Sequence, residues 1–283
     1  MVFSKPFIEK IPLEFHPKLP RSWDVIGDIA VTQVPSELRA YQEEIGREIM
    51  ITNKRIRAVL NKTGTHSGSD RTVSLDHIAG DTTTETTHKE FGIRLLLDPC
   101  RVYFSIRTAH ERKRIALQVK NDESVLVPFS GIAPYPLFIE KYSGAKMITG
   151  IEQNPVAHYY ATENLRLNQA KNINLVNDDF SNVSDDYRGI FQRVIMPLPT
   201  RGIDYLTIVA TLLGQKGILH LYLFINKDQI ESMMDIIKGR LRACGRNVTK
   251  ISTTVCGHPS PRLFKVCFDI EVEKDSKALF AKT

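Results

Sequence analysis

The residues with the most chemical potential stand in one run, Tyr103-Phe104-Ser105-Ile106-Arg107-Thr108-Ala109-His110-Glu111-Arg112. Arg107 and Glu111 are four apart, so on a helix they share a face. A carboxylate there can accept a proton, and a guanidinium can steady the negative charge left behind. The same spacing also describes an ordinary intrahelical ion pair. Lys113, Arg114 and Lys120 extend the run into a basic surface suited to phosphate.

Further along lie three segments that follow strand-like sequence. The first is Val127-Pro128-Phe129-Ser130-Gly131-Ile132-Ala133, a small-residue turn that lets a ligand approach the backbone. The second is Gly150-Ile151-Glu152-Gln153-Asn154-Pro155. Glu152 lies 21 residues after Gly131, close to the roughly 20 at which nucleotide-binding sheets place an acid for ribose hydroxyls. Glu152 or Asn154 could equally cap the helix that starts at Pro155. The third is Asn177-Asp178-Asp179-Phe180, where Asp179 can accept an adenine amino group and Phe180 can lie beside the ring. Loop, acid and acid after three successive strands form the pattern of a Rossmann-like methyltransferase. Arg193-Val194-Ile195-Met196-Pro197-Leu198-Pro199 adds a stiff turn after a fourth strand, where a base could be held.

These residues need elements to place them. Residues 106–283 alternate strand and helix, which implies a parallel sheet with helices on both faces and ligands at the carboxyl ends of the strands. Residues 108–119 have helical spacing and a basic face. Residues 21–105 read as a small α+β domain. Within it, Asp24–Val31 is β-rich, Ser36–Met50 is helical with Ser36 as N-cap, and Asn61–Asp81 is polar loop and hairpin material. Ile93–Asp98 and Arg101–Phe104 are strand-like. Residues 1–20 read as an irregular lead-in.

Composition bounds the rest. The 283 residues are 42% hydrophobic and 25% charged, which suits a globular protein. A net charge of +6 favours a polyanionic partner such as nucleic acid. The four cysteines form no Cys-x-x-Cys pair, so neither a zinc site nor a redox pair is expected. No apolar stretch approaches the roughly 18 residues of a membrane span. The chain reads as cytoplasmic, monomeric, and without a membrane or metal partner.

From about Trp23 onward the sequence resembles the archaeal and eukaryotic tRNA guanosine-37 N1-methyltransferases. The resemblance rests on Asp24-Val25-Ile26-Gly27-Asp28-Ile29-Ala30, Val102–Arg107 with Glu111-Arg112, Ile151–Pro155, Glu163–Asn168 and Arg193–Pro199. Pro261-Arg262 followed by Phe268-Asp269-Ile270 continues it. It implies an α/β fold, with a Rossmann-like class I methyltransferase domain preceded by a small α+β domain that contacts tRNA. It implies S-adenosylmethionine as cofactor and the anticodon loop and stem of tRNA as partner. Arg107 would steady charge on guanine O6, and Glu111 would be the general base for the N1 proton. Arg112, Phe129, Gly131, Glu152, Gln153, Asp179, Phe180 and the carbonyl of Pro197 would surround the cofactor. Tyr103 would line the base pocket, with Lys113, Arg114 and Pro199 on the tRNA side.

The chain departs from the family at three points. Val127 stands where an aspartate is usual, Ala133 where a second glycine is usual, and Pro197 where asparagine often precedes Leu-Pro. Three other functions share parts of this pattern: a wybutosine-pathway aminocarboxypropyl transferase, a wyosine-intermediate C-methyltransferase, and a non-catalytic tRNA-binding protein. The Arg107–Glu111 pair favours methyl transfer over the first, and the retained Glu111, Glu152 and Asp179 argue against the last.

Overall fold

The computed structural model describes residues 3–64, 74–183 and 185–275. The chain divides into two compact units, Met1–Ile106 and Arg107–Thr283.

In the first unit, α1 (Lys5–Ile8) and a 3-10 stretch Leu13–Lys18 open the chain. These residues are not a loose lead-in. Phe3, Phe7 and Ile11 recur every four residues, and all are buried in this unit's core together with Leu19. The strands β1 (Asp24–Ile26), β2 (Ile29–Thr32), β3 (Ala58–Lys62) and β4 (Leu75–Gly80) form a sheet in that order. β2 and β3 are parallel because a 3-10 turn, Ser36–Tyr41, and α2 (Gln42–Thr52) carry the chain across. Ser36 therefore opens a 3-10 turn rather than the helix itself. Ile45 and Ile49 of α2 are fully buried. Most of the glycine-dotted stretch Thr63–Ser69 lies outside the described residues. β5 (Thr86–Glu90) and β6 (Ile93–Leu97) form a hairpin. Its turn residues Phe91 and Gly92 both have positive φ, as the tight type I′ turn needs. Arg101–Phe104 is turn and coil, not strand.

The second unit begins with α3 (Ala109–Ala116). A seven-stranded sheet follows in the order β12-β13-β11-β10-β7-β8-β9. Its strands are β7 (Ser124–Pro128), β8 (Met147–Ile151), β9 (Ile173–Val176), β10 (Phe191–Met196), β11 (Leu213–Asn226), β12 (Arg246–Gly257) and β13 (Leu263–Lys274). The helices are α4 (Pro134–Tyr142), α5 (Pro155–Asn168), α6 (Leu206–Leu212) and α7 (Ile230–Ala243). β9, β8, β7, β10 and β11 run parallel, as the alternating pattern implies. β13 pairs antiparallel with both β11 and β12, which the alternation did not suggest. β12 has no apolar run to reveal it, because it is an edge strand with much of its surface exposed.

Alternation along β11 assigns the two faces of this sheet. Leu219, Leu221, Leu223 and Ile225 join Leu206 and Val209 of α6 and Ile237 and Leu241 of α7 in one core. His220 and Tyr222 must then point the other way, toward α3 and α4. Both are fully buried.

The turn Gly27-Asp28 between β1 and β2 has φ +61° at Gly27, the first turn position, where glycine is favoured. A Cβ at Gly27 would collide with the Thr86 hydroxyl. Gly27→Ala is expected to destabilise the first unit by at least about 1–2 kcal/mol. Urea unfolding followed by the fluorescence of Trp23, the chain's single tryptophan, reads this directly.

Candidate active site

The turn from β7 into α4 is tightly wound. Phe129, Gly131 and Ala133 have φ of +56°, +57° and +65°, a left-handed conformation that costs L-residues about 1–2 kcal/mol each. Gly131 has open space where a Cβ would stand, so its backbone is approachable there. The φ at Ala133 explains why a glycine suits that position. Val127 is fully buried in β7, where its side chain packs in the core and offers no polar contact.

Glu152, just after β8, ties the turn down. Its Oε2 accepts the Gly131 N–H at 2.8 Å and its Oε1 accepts the Asn154 N–H at 2.8 Å. Asn154 is the residue that caps α5, with Oδ1 accepting from the N–H groups of Val156 and Ala157. Gln153 is half-buried, and its carbonyl is held with that of Glu152 by the Asn177 amide. Asp179 accepts the Ser181 N–H at Oδ1, and Oδ2 carries no hydrogen bond among the described residues. Phe180 is buried, and its ring lies 5.6 Å from both Phe129 and Tyr205. Pro197 is half-buried directly after β10.

These residues fit an adenosyl-bearing cofactor. Ser130 is almost fully buried, yet its hydroxyl has no partner among the described residues, so a polar group is wanted inside this turn. The unshared Oδ2 of Asp179 suits an amino group, and the Phe129, Phe180 and Tyr205 rings supply an apolar wall.

Glu111 sits elsewhere in this unit, on the buried side of α3, and is 6% exposed. Its partner is Arg114, not Arg107. Arg114 donates from Nε to Oε2 at 2.7 Å and from Nη2 to Oε1 at 2.8 Å. Tyr222 of β11 donates its hydroxyl to Oε1 at 2.6 Å, and the Tyr135 hydroxyl lies 3.0 Å beyond. The reason for the change of partner is local. Arg107 belongs to the 3-10 turn Ile106–Thr108 before α3, is exposed, and so does not share a helical face with Glu111.

The chain of charges continues across the sheet. Arg114 also donates to Asp269 Oδ2 at 2.7 Å, and His220 Nδ1 lies 2.6 Å from Asp269 Oδ1. Arg193 reaches His220 Nε2 at 2.7 Å and Glu123 Oε2 at 2.7 Å. Burial pushes the His220 proton affinity down, and Arg193 adds to this against the opposing pull of Asp269. A neutral imidazole donating from Nδ1 to Asp269 and accepting at Nε2 from Arg193 satisfies every bond. Burial opposes ionisation of Asp269, but the hydrogen bonds from His220 and Arg114 outweigh it and hold its carboxyl well below the usual range. His220, Cys267 and Asp269 could bring three ligand atoms within 4.8 Å of one another. Both His220 nitrogens are already committed, and two guanidinium groups stand beside the set.

Two of the expected substrate-side residues are engaged within the protein itself. Glu111 and Asp269 engage the Arg114 guanidinium from both sides. Pro199 is buried and its carbonyl accepts the Phe224 N–H at 3.1 Å. Of the other basic residues, Lys113 is half-buried over the Tyr142 ring at 5.2 Å, and Lys120 is exposed. Arg112 is buried, donating to Thr108 at 2.6 Å with its guanidinium over Phe138. Tyr103, in the first unit, is 36% exposed. The sequence reading missed Tyr205, Tyr222, His220 and Asp269 as parts of these clusters. The signal for two of them was a histidine and a tyrosine two residues apart inside the apolar strand β11.

A parallel sheet with a left-handed glycine turn after its first strand, and carboxylates after the second and third, defines a Rossmann-like class I methyltransferase. Residues 86–249 match the TRM5/TYW2 methyltransferase domain, and residues 6–83 match the TYW2 N-terminal domain. The chain belongs to the TRM5/TYW2 family. It is 34% identical over 266 residues to the tRNA (guanine(37)-N(1))-methyltransferase Trm5b of Pyrococcus abyssi, covering 94% of this chain and 79% of that one. The crystal structure of that Trm5b superposes with a TM-score of 0.83 at 32% identity, over 93% of this chain and 78% of that one. The complex of aTrm5 with tRNALeu gives a TM-score of 0.80 at 26% identity, over 94% and 77%. The tRNA 4-demethylwyosine(37)-methyltransferase Taw21 of Saccharolobus solfataricus is 27% identical over 88% of this chain and 92% of its own length. Among the described residues, no helix is long and apolar enough to cross a membrane.

The depressed Asp269 carboxyl sets an acid dependence of stability. Its contribution is complete above the ordinary carboxylate value of about 3.9 and is lost as pH falls through the lower folded value. Stability followed by circular dichroism in urea should fall less steeply below about pH 4 in Asp269→Asn than in the wild type.

Proposed function

We propose that this chain transfers the methyl group of S-adenosylmethionine to N1 of guanosine 37 in the anticodon loop of tRNA. The observation that carries the reading is Glu111, a buried carboxylate held by three hydrogen bonds in a chain of this family. The names of its relatives support the same reaction, and the net charge of +6 suits an RNA partner. The same reading takes the protein as a cytoplasmic monomer that needs no metal.

When bound, S-adenosylmethionine supplies an electrophilic methyl group on a sulfonium. Gly131, Glu152, Gln153, Asp179 and the Phe129 and Phe180 rings hold it, with Arg112 and the Pro197 carbonyl assigned nearby by correspondence with the family. The protein's task is then mostly proton chemistry. Guanine N1 becomes nucleophilic when its proton leaves, and Glu111 accepts that proton. Charge moves toward O6, where the exposed guanidinium of Arg107 meets it. Lys113 and Lys120 contribute to phosphate contact.

A second reading, aminocarboxypropyl transfer from the same cofactor, is favoured by the match of residues 6–83 to the TYW2 N-terminal domain. Mass spectrometry separates the two. Unmodified tRNA bearing guanosine 37 is incubated with S-adenosylmethionine and wild type or Glu111→Ala, then digested to nucleosides. The expected product is N1-methylguanosine, lower by about 100-fold or more in the variant. No product there, with an aminocarboxypropyl mass gained on a wyosine-precursor tRNA, would move the chain to the sister reaction.

A further inference from the structure

We propose that Tyr222 and Arg114 are positioning residues that decide which oxygen of Glu111 accepts the guanine proton and how tightly it holds it. The inference rests on the methyl-transfer reading and deepens it. An ionised carboxylate offers about four acceptor positions, two on each oxygen. At Glu111, Oε1 takes both Arg114 Nη2 and the Tyr222 hydroxyl, so its positions are filled. Oε2 takes Arg114 Nε alone. Among the described residues one acceptor position remains, and it is on Oε2. The proton leaves guanine N1 for Oε2, and its electron pair stays on the base.

The surroundings explain why the carboxylate is built this way. Glu111, Arg114, Asp269, Arg193 and Glu123 contribute three negative and two positive charges, and His220 between them is neutral. This hydrogen-bonded line therefore carries one net negative charge. One proton on Oε2 would neutralise that line. Arg114 cannot swing away to release Glu111, because Asp269 holds its other edge at 2.7 Å and His220 holds Asp269.

The titratable groups that face Glu111 do not compete for that proton. Burial is the largest cause in each case, and it pushes the Tyr222 and Tyr135 hydroxyls and the Cys267 thiol well above their ordinary values. The Cys256 thiol of β12 is pushed up to about 12, also chiefly by burial. Arg114 stays charged because, against burial, Glu111 and Asp269 stabilise its guanidinium. Arg112 and the Lys265 ammonium, 5.1 Å over the Tyr222 ring, complete the set. Tyr222 is therefore a fixed donor, and a donor to a carboxylate favours its ionised form.

The test is the pH profile of single-turnover methyl transfer for wild type, Tyr222→Phe and Tyr135→Phe, with S-adenosylmethionine and tRNA binding measured alongside. Loss of the Tyr222 donor should move the acid limb upward by about one pH unit. Tyr135→Phe, one hydrogen bond further out, should move it the same way by less, and it serves if Tyr222→Phe does not fold. Cofactor and tRNA affinity should stay as in the wild type. An unmoved acid limb, or an equal loss of rate at every pH, overturns the proposal. A wild type that transfers no methyl group overturns the reaction reading instead. The donor role is then decided by titrating the Glu111 carboxyl carbon by NMR in wild type and Tyr222→Phe, where equal midpoints overturn it.

Discussion

A carboxylate that leaves water must be met by donors, and at Glu111 this requirement organises much of the second unit. Removing one partner from a buried pair of this kind typically costs about 3–5 kcal/mol, because the other charge is left uncompensated. Arg114 meets Glu111 with a bidentate fork, but it is itself partly buried and needs a second carboxylate. Asp269 supplies that carboxylate from β13, directly opposite His220 of β11 in the strand register. His220 then needs a donor on its other nitrogen, and Arg193 of β10 provides it while closing on Glu123. Each member is fixed by the next, so one helix and three strands are held in register by a single line of charge.

The cofactor turn obeys a different constraint. Its backbone bends through left-handed φ at three residues in five, which is unfavourable without compensation. The compensation is Glu152, whose two oxygens hold the N–H groups of Gly131 and Asn154. The carboxylate thus joins the end of β7 to the end of β8. Gly150 allows this closeness, since a Cβ there would stand 3.1 Å from Ser130 Oγ. Binding groups and strained backbone occupy the same few residues because rigidity there serves the ligand.

Much of this was legible in the sequence where the signal was local. The alternation of apolar strands with helices, two of which carry proline in the first turn, gave the parallel part of the sheet. The interval from Gly131 to Glu152 marked two residues that prove to be hydrogen-bonded. What stayed hidden was set by long-range pairing. Glu111 meets Tyr222 across 111 residues, and Arg114 meets Asp269 across 155. The four-residue spacing pointed instead to Arg107, and a helix starting only at Ala109 undid that inference. β12 stayed hidden because an edge strand needs no apolar run. Phe3, Phe7 and Ile11 were too sparse to signal a core until the remainder of that unit was in place.

The central claim is that the sheet acts on the reaction through Glu111. A double-mutant cycle tests it most directly, with single-turnover methyl transfer measured for wild type, Glu111→Gln, Tyr222→Phe and the double variant. If Tyr222 works through the Glu111 carboxylate, its substitution should slow the wild type near the acid limb and change nothing once Glu111 is glutamine. Equal effects of Tyr222→Phe in both backgrounds would contradict the account.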